Sequence, residues 1–100
     1  MTDILHLVLL RAKGTAFYFI GSAYEPEKYL AHRQTEHLSE LELVIAQPCR
    51  SSAWTVLNIR FAHIPRRAKL WLDFTGRTDD QDLIEAIQSL PKPVQLRLVK

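Results

Sequence analysis

One hundred residues with 47% hydrophobic content are enough for one domain with a packed core, and too few for two. A formal net charge of +2 and a pI near 8.9 permit nucleic-acid binding without requiring it, so partner choice depends on where the charges sit. The lone Cys49 excludes an internal disulfide and a multi-cysteine zinc site, and suits a reducing cytoplasm as a small, half-buried residue at a strand end.

In chain order, Ile4 to Arg11 is rich in Leu, Val and Ile and stops at Lys13-Gly14; Thr15 to Ser22 follows with aromatic and β-branched residues. Two such runs joined by a Gly-containing turn predict an antiparallel hairpin. Pro26 fits the first turn of a helix, where its missing N–H costs nothing, and Glu25 ahead of it can accept from free amides, so a helix is predicted from Pro26 to Thr35. Glu40 to Ala46 alternates acidic and apolar residues at first, as a half-buried strand does. Ser51-Ser52 offers a cap for a second helix, in which Trp54, Leu57 and Phe61 make one stripe facing the sheet until Pro65 ends it.

Thr78-Asp79-Asp80-Gln81 is a capping-box pattern for a third helix with Leu83, Ile84, Ile87 and Leu90 as its buried stripe. The alternating tail Val94 to Leu98 predicts a further strand, with Arg97 and Lys100 discouraging association at an edge. The expected fold is α+β, a sheet of three to four strands packed with helices. Apolar stretches such as Leu7-Val8-Leu9-Leu10 fall far below the ~20 residues that span a bilayer, and Met1-Thr2-Asp3 opens no signal peptide, so a cytoplasmic location is expected.

The stretch Phe19-Ile20-Gly21-Ser22-Ala23-Tyr24-Glu25-Pro26-Glu27-Lys28-Tyr29-Leu30, with Gln34-Thr35 after it, resembles the GIY-YIG endonuclease superfamily in its small phage-type branch. There a strand ending Lys-Ile-Gly precedes a turn, Asp-Pro-Glu-Lys-Arg-Leu and a Gln-Thr. Leu57, Phe61 and the segment Leu70-Trp71-Leu72-Asp73-Phe74 continue the likeness, which covers roughly residues 4 to 75. It implies the order β-β-α-β-α followed by a helix, one GIY-YIG-like domain over residues 1–100, a phage or mobile-element origin, and a DNA cleft.

Measured against that resemblance, the catalytic positions are substituted. Phe19 stands at the Lys position, Tyr29 at the Arg position, Trp54 at the metal-binding Glu and Asn58 at the His. A hard divalent cation takes oxygen ligands, usually one or two carboxylates, and Trp54 supplies none. Neither Phe19 nor Tyr29 offers the positive charge that stabilises a phosphoryl transition state. No catalytic residue, metal ligand or cofactor is therefore expected, and Trp54 reads as core filling, with an exposed stacking platform as its functional alternative. Glu25, Glu27 and Asp73 are the carboxylates that a relocated active site would have to recruit.

The remaining patterns carry less. His32 and His37 are five apart and share no helix face cleanly, Gly14, Gly21 and Gly76 form no phosphate loop, and no nucleophile–base arrangement has local support. From Arg50 through Leu72 there is no acidic residue, and this basic run holds Arg60, Arg66, Arg67 and Lys69. Such a run is either a solvated face or a set of phosphate contacts, with Lys28, His32 and Arg33 joining from the first helix. The sequence thus points to a catalytically inactive binding module, acting on a host or phage protein as regulator or inhibitor, or binding nucleic acid weakly through its basic face. The alternative is a metal-dependent DNA endonuclease with relocated catalytic residues.

Overall fold

A computed structural model of the chain describes residues 4–68 and 70–90. Apolar strands with a Gly14 turn form the expected hairpin, β1 (His6–Ala12) and β2 (Phe17–Ala23), in antiparallel register from His6 opposite Ala23 to Arg11 opposite Tyr18. Gly14 adopts φ 79°, the left-handed conformation that glycine enters without steric cost. Helix α1 covers Pro26–Thr35, as the proline predicts. Next come β3 (Leu41–Pro48), α2 (Ala53–Arg60), β4 (Arg66–Arg67), β5 (Trp71–Asp73) and α3 (Asp80–Gln88).

All strand pairs are antiparallel and the sheet order is β3-β1-β2-β5-β4. The fold is α+β, but with five strands rather than three to four. The additional hairpin pairs Arg66 with Leu72 and Arg67 with Trp71, and two- and three-residue strands are too short to show alternation. The predicted strand over Val94 to Leu98 lies outside the described residues, as does Lys69.

Alternation along β1 and β2 sends side chains to both faces of the sheet, and each face is covered. On one face Leu7, Leu9, Tyr18, Ile20 and Leu72 pack with Ala53, Leu57 and Phe61 from α2 and its end, and with Leu83, Ala86 and Ile87 from α3. On the other, Val8, Leu10, Ala12 and Phe19 meet Leu41, with half-buried Tyr29 and Leu30 of α1 above them. Helix α1 itself buries no residue completely. Cys49 is fully buried against the first face, rather than half-buried, and this burial pushes its thiol pKa up.

Local expectations change at the helices. Ser52 is helical in its own backbone and makes no side-chain cap, and the capping box at Thr78 is likewise unmade because Asp79 occupies the N-cap position, also without a side-chain bond. At the first helix Glu25 caps only through its backbone carbonyl, which accepts from Tyr29 N, while its carboxylate pairs with Lys28. The buried stripe of α2 starts at Ala53 rather than Trp54, which is 42% exposed and therefore not core filling. Among the described residues no helix is long and apolar enough to cross a membrane.

Candidate functional site

Strand β5 pairs with β2 only at Phe17 and Tyr18, leaving the outer edge of β2 from Phe19 onward to be met by side chains. Trp54 does this from α2: its indole Nε1 donates to the Ile20 carbonyl at 2.9 Å. An indole N–H buried or half-buried needs an acceptor, and an open strand edge offers one. A relay extends from there. Asn58 Nδ2 donates to the Trp54 carbonyl at 2.7 Å, and Arg66 Nη2 donates to Asn58 Oδ1 at 3.0 Å.

On the opposite side of the same edge, the Tyr29 ring rests directly on Gly21. A Cβ at Gly21 would fall 2.7 Å from Tyr29 Cζ, so the absence of a side chain is what lets α1 approach β2 here. Arg33, one turn along α1, lies over both the Phe19 ring (4.9 Å to the centroid) and the Tyr29 ring (5.3 Å). Its Nε donates to Tyr29 Oη at 3.3 Å and its Nη1 to Glu36 Oε1 at 3.2 Å. The Tyr29 hydrogen bond, and Glu36 less strongly, raise the Arg33 pKa further, so the guanidinium stays charged.

Between these walls lies a cleft of about 310 Å³, lined by Phe19, Ile20, Gly21, Ser22, Tyr29, Arg33, Trp54, Asn58, Arg66, Leu70 and Leu72. The four substituted positions Phe19, Tyr29, Trp54 and Asn58 thus come from three separate elements to one place. Two guanidinium groups accompany them. No carboxylate is among the lining residues. The site is concave, with Arg33 over the Phe19 and Tyr29 rings and Arg66 held by Asn58, an arrangement that offers positive charge and directed donors beside apolar walls.

The other expected contacts do not converge there. Arg67 is ion-paired to Asp73 (Nε to Oδ2, 3.0 Å) and stacked over Phe17, so its charge is already answered. Asp73 is held at a pKa of about 2 by the Thr75 hydroxyl and backbone N–H, with Arg67 adding to the effect. Arg60 lines a separate groove with His63, with Asp82 and Glu85 of α3 and with its N-cap Asp79. Lys28 pairs with Glu25 and lies with Glu27, His6 and Tyr24 in a third groove. His32 is exposed, 3.8 Å from Glu36.

Tyr18 points into the core beneath α3, where its hydroxyl donates to Asp80 Oδ2 at 2.8 Å; burial first, then Asp80, raises the phenol pKa. It does not line the cleft. Glu25, Glu27 and Asp73, the carboxylates available to a relocated active site, are likewise elsewhere. Among the described residues no three His, Cys, Asp or Glu side chains cluster as a metal site would need. Leu70, Leu72 and Ile20 belong to the segments that carry the resemblance but were not assigned to a site, because the β4–β5 hairpin that brings the first two to the cleft was not legible.

Compared with known proteins, the chain matches no family model, no curated protein and no solved structure.

Proposed function

We propose that the chain is a non-catalytic binding module whose cleft holds the phosphate backbone of a nucleic acid. The observation that carries this is the pairing of Arg33 and Arg66 in one cleft that no carboxylate lines; Arg33 also pairs with Glu36 outside that lining, whereas Arg66 is held by the neutral Asn58. Arginine suits phosphate because its planar fork gives charge and directed donors together. Both guanidiniums are positioned in advance, Arg33 by Tyr29 and Arg66 by Asn58, which reduces the ordering cost of binding. The convergence of Phe19, Tyr29, Trp54 and Asn58 supports reading this cleft as the counterpart of a GIY-YIG active site in which aromatic and amide groups have replaced the catalytic ones. Arg33 returns positive charge one helical turn from Tyr29. The carboxylate that a divalent metal requires has no counterpart among the lining residues, which favours binding over a relocated endonuclease activity.

Two cations make few phosphate contacts, so affinity is modest and salt-sensitive. The test is anisotropy of a short labelled oligonucleotide over a salt series, with Arg33→Ala and Arg66→Ala beside the wild type. Each substitution should lower affinity and reduce the slope of log affinity against log salt by roughly one unit. The same preparations should leave DNA uncut with Mg²⁺ or Mn²⁺. A wild-type slope retained in both variants, or nicking abolished by changing a single carboxylate, overturns the reading.

One observation favours a protein partner instead. The outer face of α2 exposes Val56 (53%) and Ile59 (71%), and Leu70 (52%) is exposed at the cleft. A pull-down after nuclease treatment that captures a protein from wild type but not from Ile59→Glu would support that reading.

A further inference from the structure

The cleft's walls say more about its ligand than its charges do. Building on the nucleic-acid reading above, we infer that the cleft takes a single nucleotide of an unpaired strand, with the base stacked on Trp54 and the adjoining phosphate held by Arg33 and Arg66.

A duplex presents phosphates and sugars outward while its base faces are already stacked on one another, so aromatic walls gain nothing from it. An unpaired base has free faces, and each base stacked on an aromatic side chain adds to affinity whatever its identity. Trp54 fits this role on three counts. It is 42% exposed although it is the largest side chain of its helix. Its Nε1 bond to the Ile20 carbonyl fixes the ring at the rim, so no rotamer freedom is lost when a base arrives. The backbone of the same residue accepts from Asn58, which in turn holds Arg66, so the stacking surface and one phosphate contact belong to a single hydrogen-bonded unit.

The scale agrees as well. About 310 Å³ is enough for one base and its phosphate, not for a helix of paired strands. Few lining groups could read a base edge: Ser22 and Asn58 carry the polar side chains apart from the arginines and Tyr29, and Asn58 is already committed to Trp54 and Arg66. The ligand is therefore defined by strandedness and not by sequence.

The experiment uses a deoxythymidine oligonucleotide and a blunt duplex of equal length, measured by anisotropy against wild type, Trp54→Phe, Trp54→Leu and the two arginine variants, each checked by a thermal melt. A Trp71→Phe background leaves Trp54 as the sole indole, so its fluorescence reports directly. The single strand should bind more tightly than the duplex and quench Trp54 emission. Trp54→Leu should weaken single-strand binding by roughly 5- to 150-fold, the loss of one stacked base, while Trp54→Phe retains most of the affinity. Equal affinity for both ligands, absent quenching, or a Trp54→Leu variant that binds as wild type overturns the inference. If the arginine variants still lose affinity in that case, phosphate binding at the cleft survives without the stacking. If neither ligand binds in a salt-dependent way, both readings fail.

Discussion

The face of the sheet beneath α2 and α3 and the face beneath α1 bury similar side chains, yet they are closed differently. Under α2 and α3, Leu57, Leu83 and Ile87 are fully buried against Leu7, Leu9 and Leu72. Under α1, no helical residue is fully buried; Tyr29 and Leu30 lie half-open over Val8, Leu10 and Phe19. The first arrangement concentrates stability, and the second leaves room for a cleft at the edge of β2. The cleft itself draws on both sides, Tyr29 and Arg33 from α1 and Trp54 and Asn58 from α2, so the two faces meet at the edge of β2.

The comparison breaks most visibly through the cores themselves. Leu57→Ala should cost about 2–5 kcal/mol, as truncation of a fully buried leucine does, and Leu30→Ala distinctly less. Chemical denaturation of both variants decides it; equal losses would mean that α1 carries as much of the fold as α2. Gly21→Ala sharpens the role of the thinner face. The new methyl meets the Tyr29 ring, whose far end can move, so the expected cost is about 1–3 kcal/mol. In a Tyr29→Ala background that cost should largely vanish, and an additive double-mutant cycle would show that the two residues are not in contact.

The smallest effect concerns the hairpin that flanks the cleft. Asp73 has a folded pKa of about 2, below the ordinary carboxylate value near 3.9, so it contributes stability above about pH 4 that is lost as pH falls towards 2. Melting temperature should therefore fall less steeply across that window in Asp73→Asn than in wild type. Some slope remains in the variant, because Arg77 also lowers the pKa of Asp79. Identical slopes would show that the carboxylate is not engaged by Thr75 and Arg67.

Local signals set most of the fold in view. Gly14 and Pro26 punctuate the chain at positions where backbone geometry leaves few choices, and the first helix begins and ends where the proline and Thr35 place it; Pro65 does not end the second helix, which stops at Arg60 with Phe61 as its C-cap. The site was legible only in part. Phe19, Tyr29, Trp54 and Asn58 could be grouped from the sequence, but only a fold could bring them to one cleft. Size and apolar character place Trp54 in the stripe with Leu57 and Phe61 when only the sequence is read. Ala53, the smaller neighbour, allows closer approach of α2 to the sheet, while the indole N–H turns to the open edge at Ile20. The basic run misled for a different reason. The Arg67–Asp73 ion pair joins two strands, and Arg60 shares a groove with acids of α3; no run of like charges reveals such neighbours.

Strand β3 has one further consequence. Among the described residues it forms the sheet's outer margin, opposite the β4 end, and an edge strand of eight residues is in general a template on which another chain could grow. The register of β3 against β1 slips between Leu9 and Leu10: Ile45 faces Leu9, Leu43 faces Leu10, and Val44 has no opposite number. Such a bulge bends and twists the strand. Glu42, tied to Arg11, adds charge on one side of it and Pro48 removes a donor at the end. By the general rule for edge strands, a bulge, a charge and a terminal proline each make such a margin a poorer template for a further strand, so the irregularity bears on association as well as on shape.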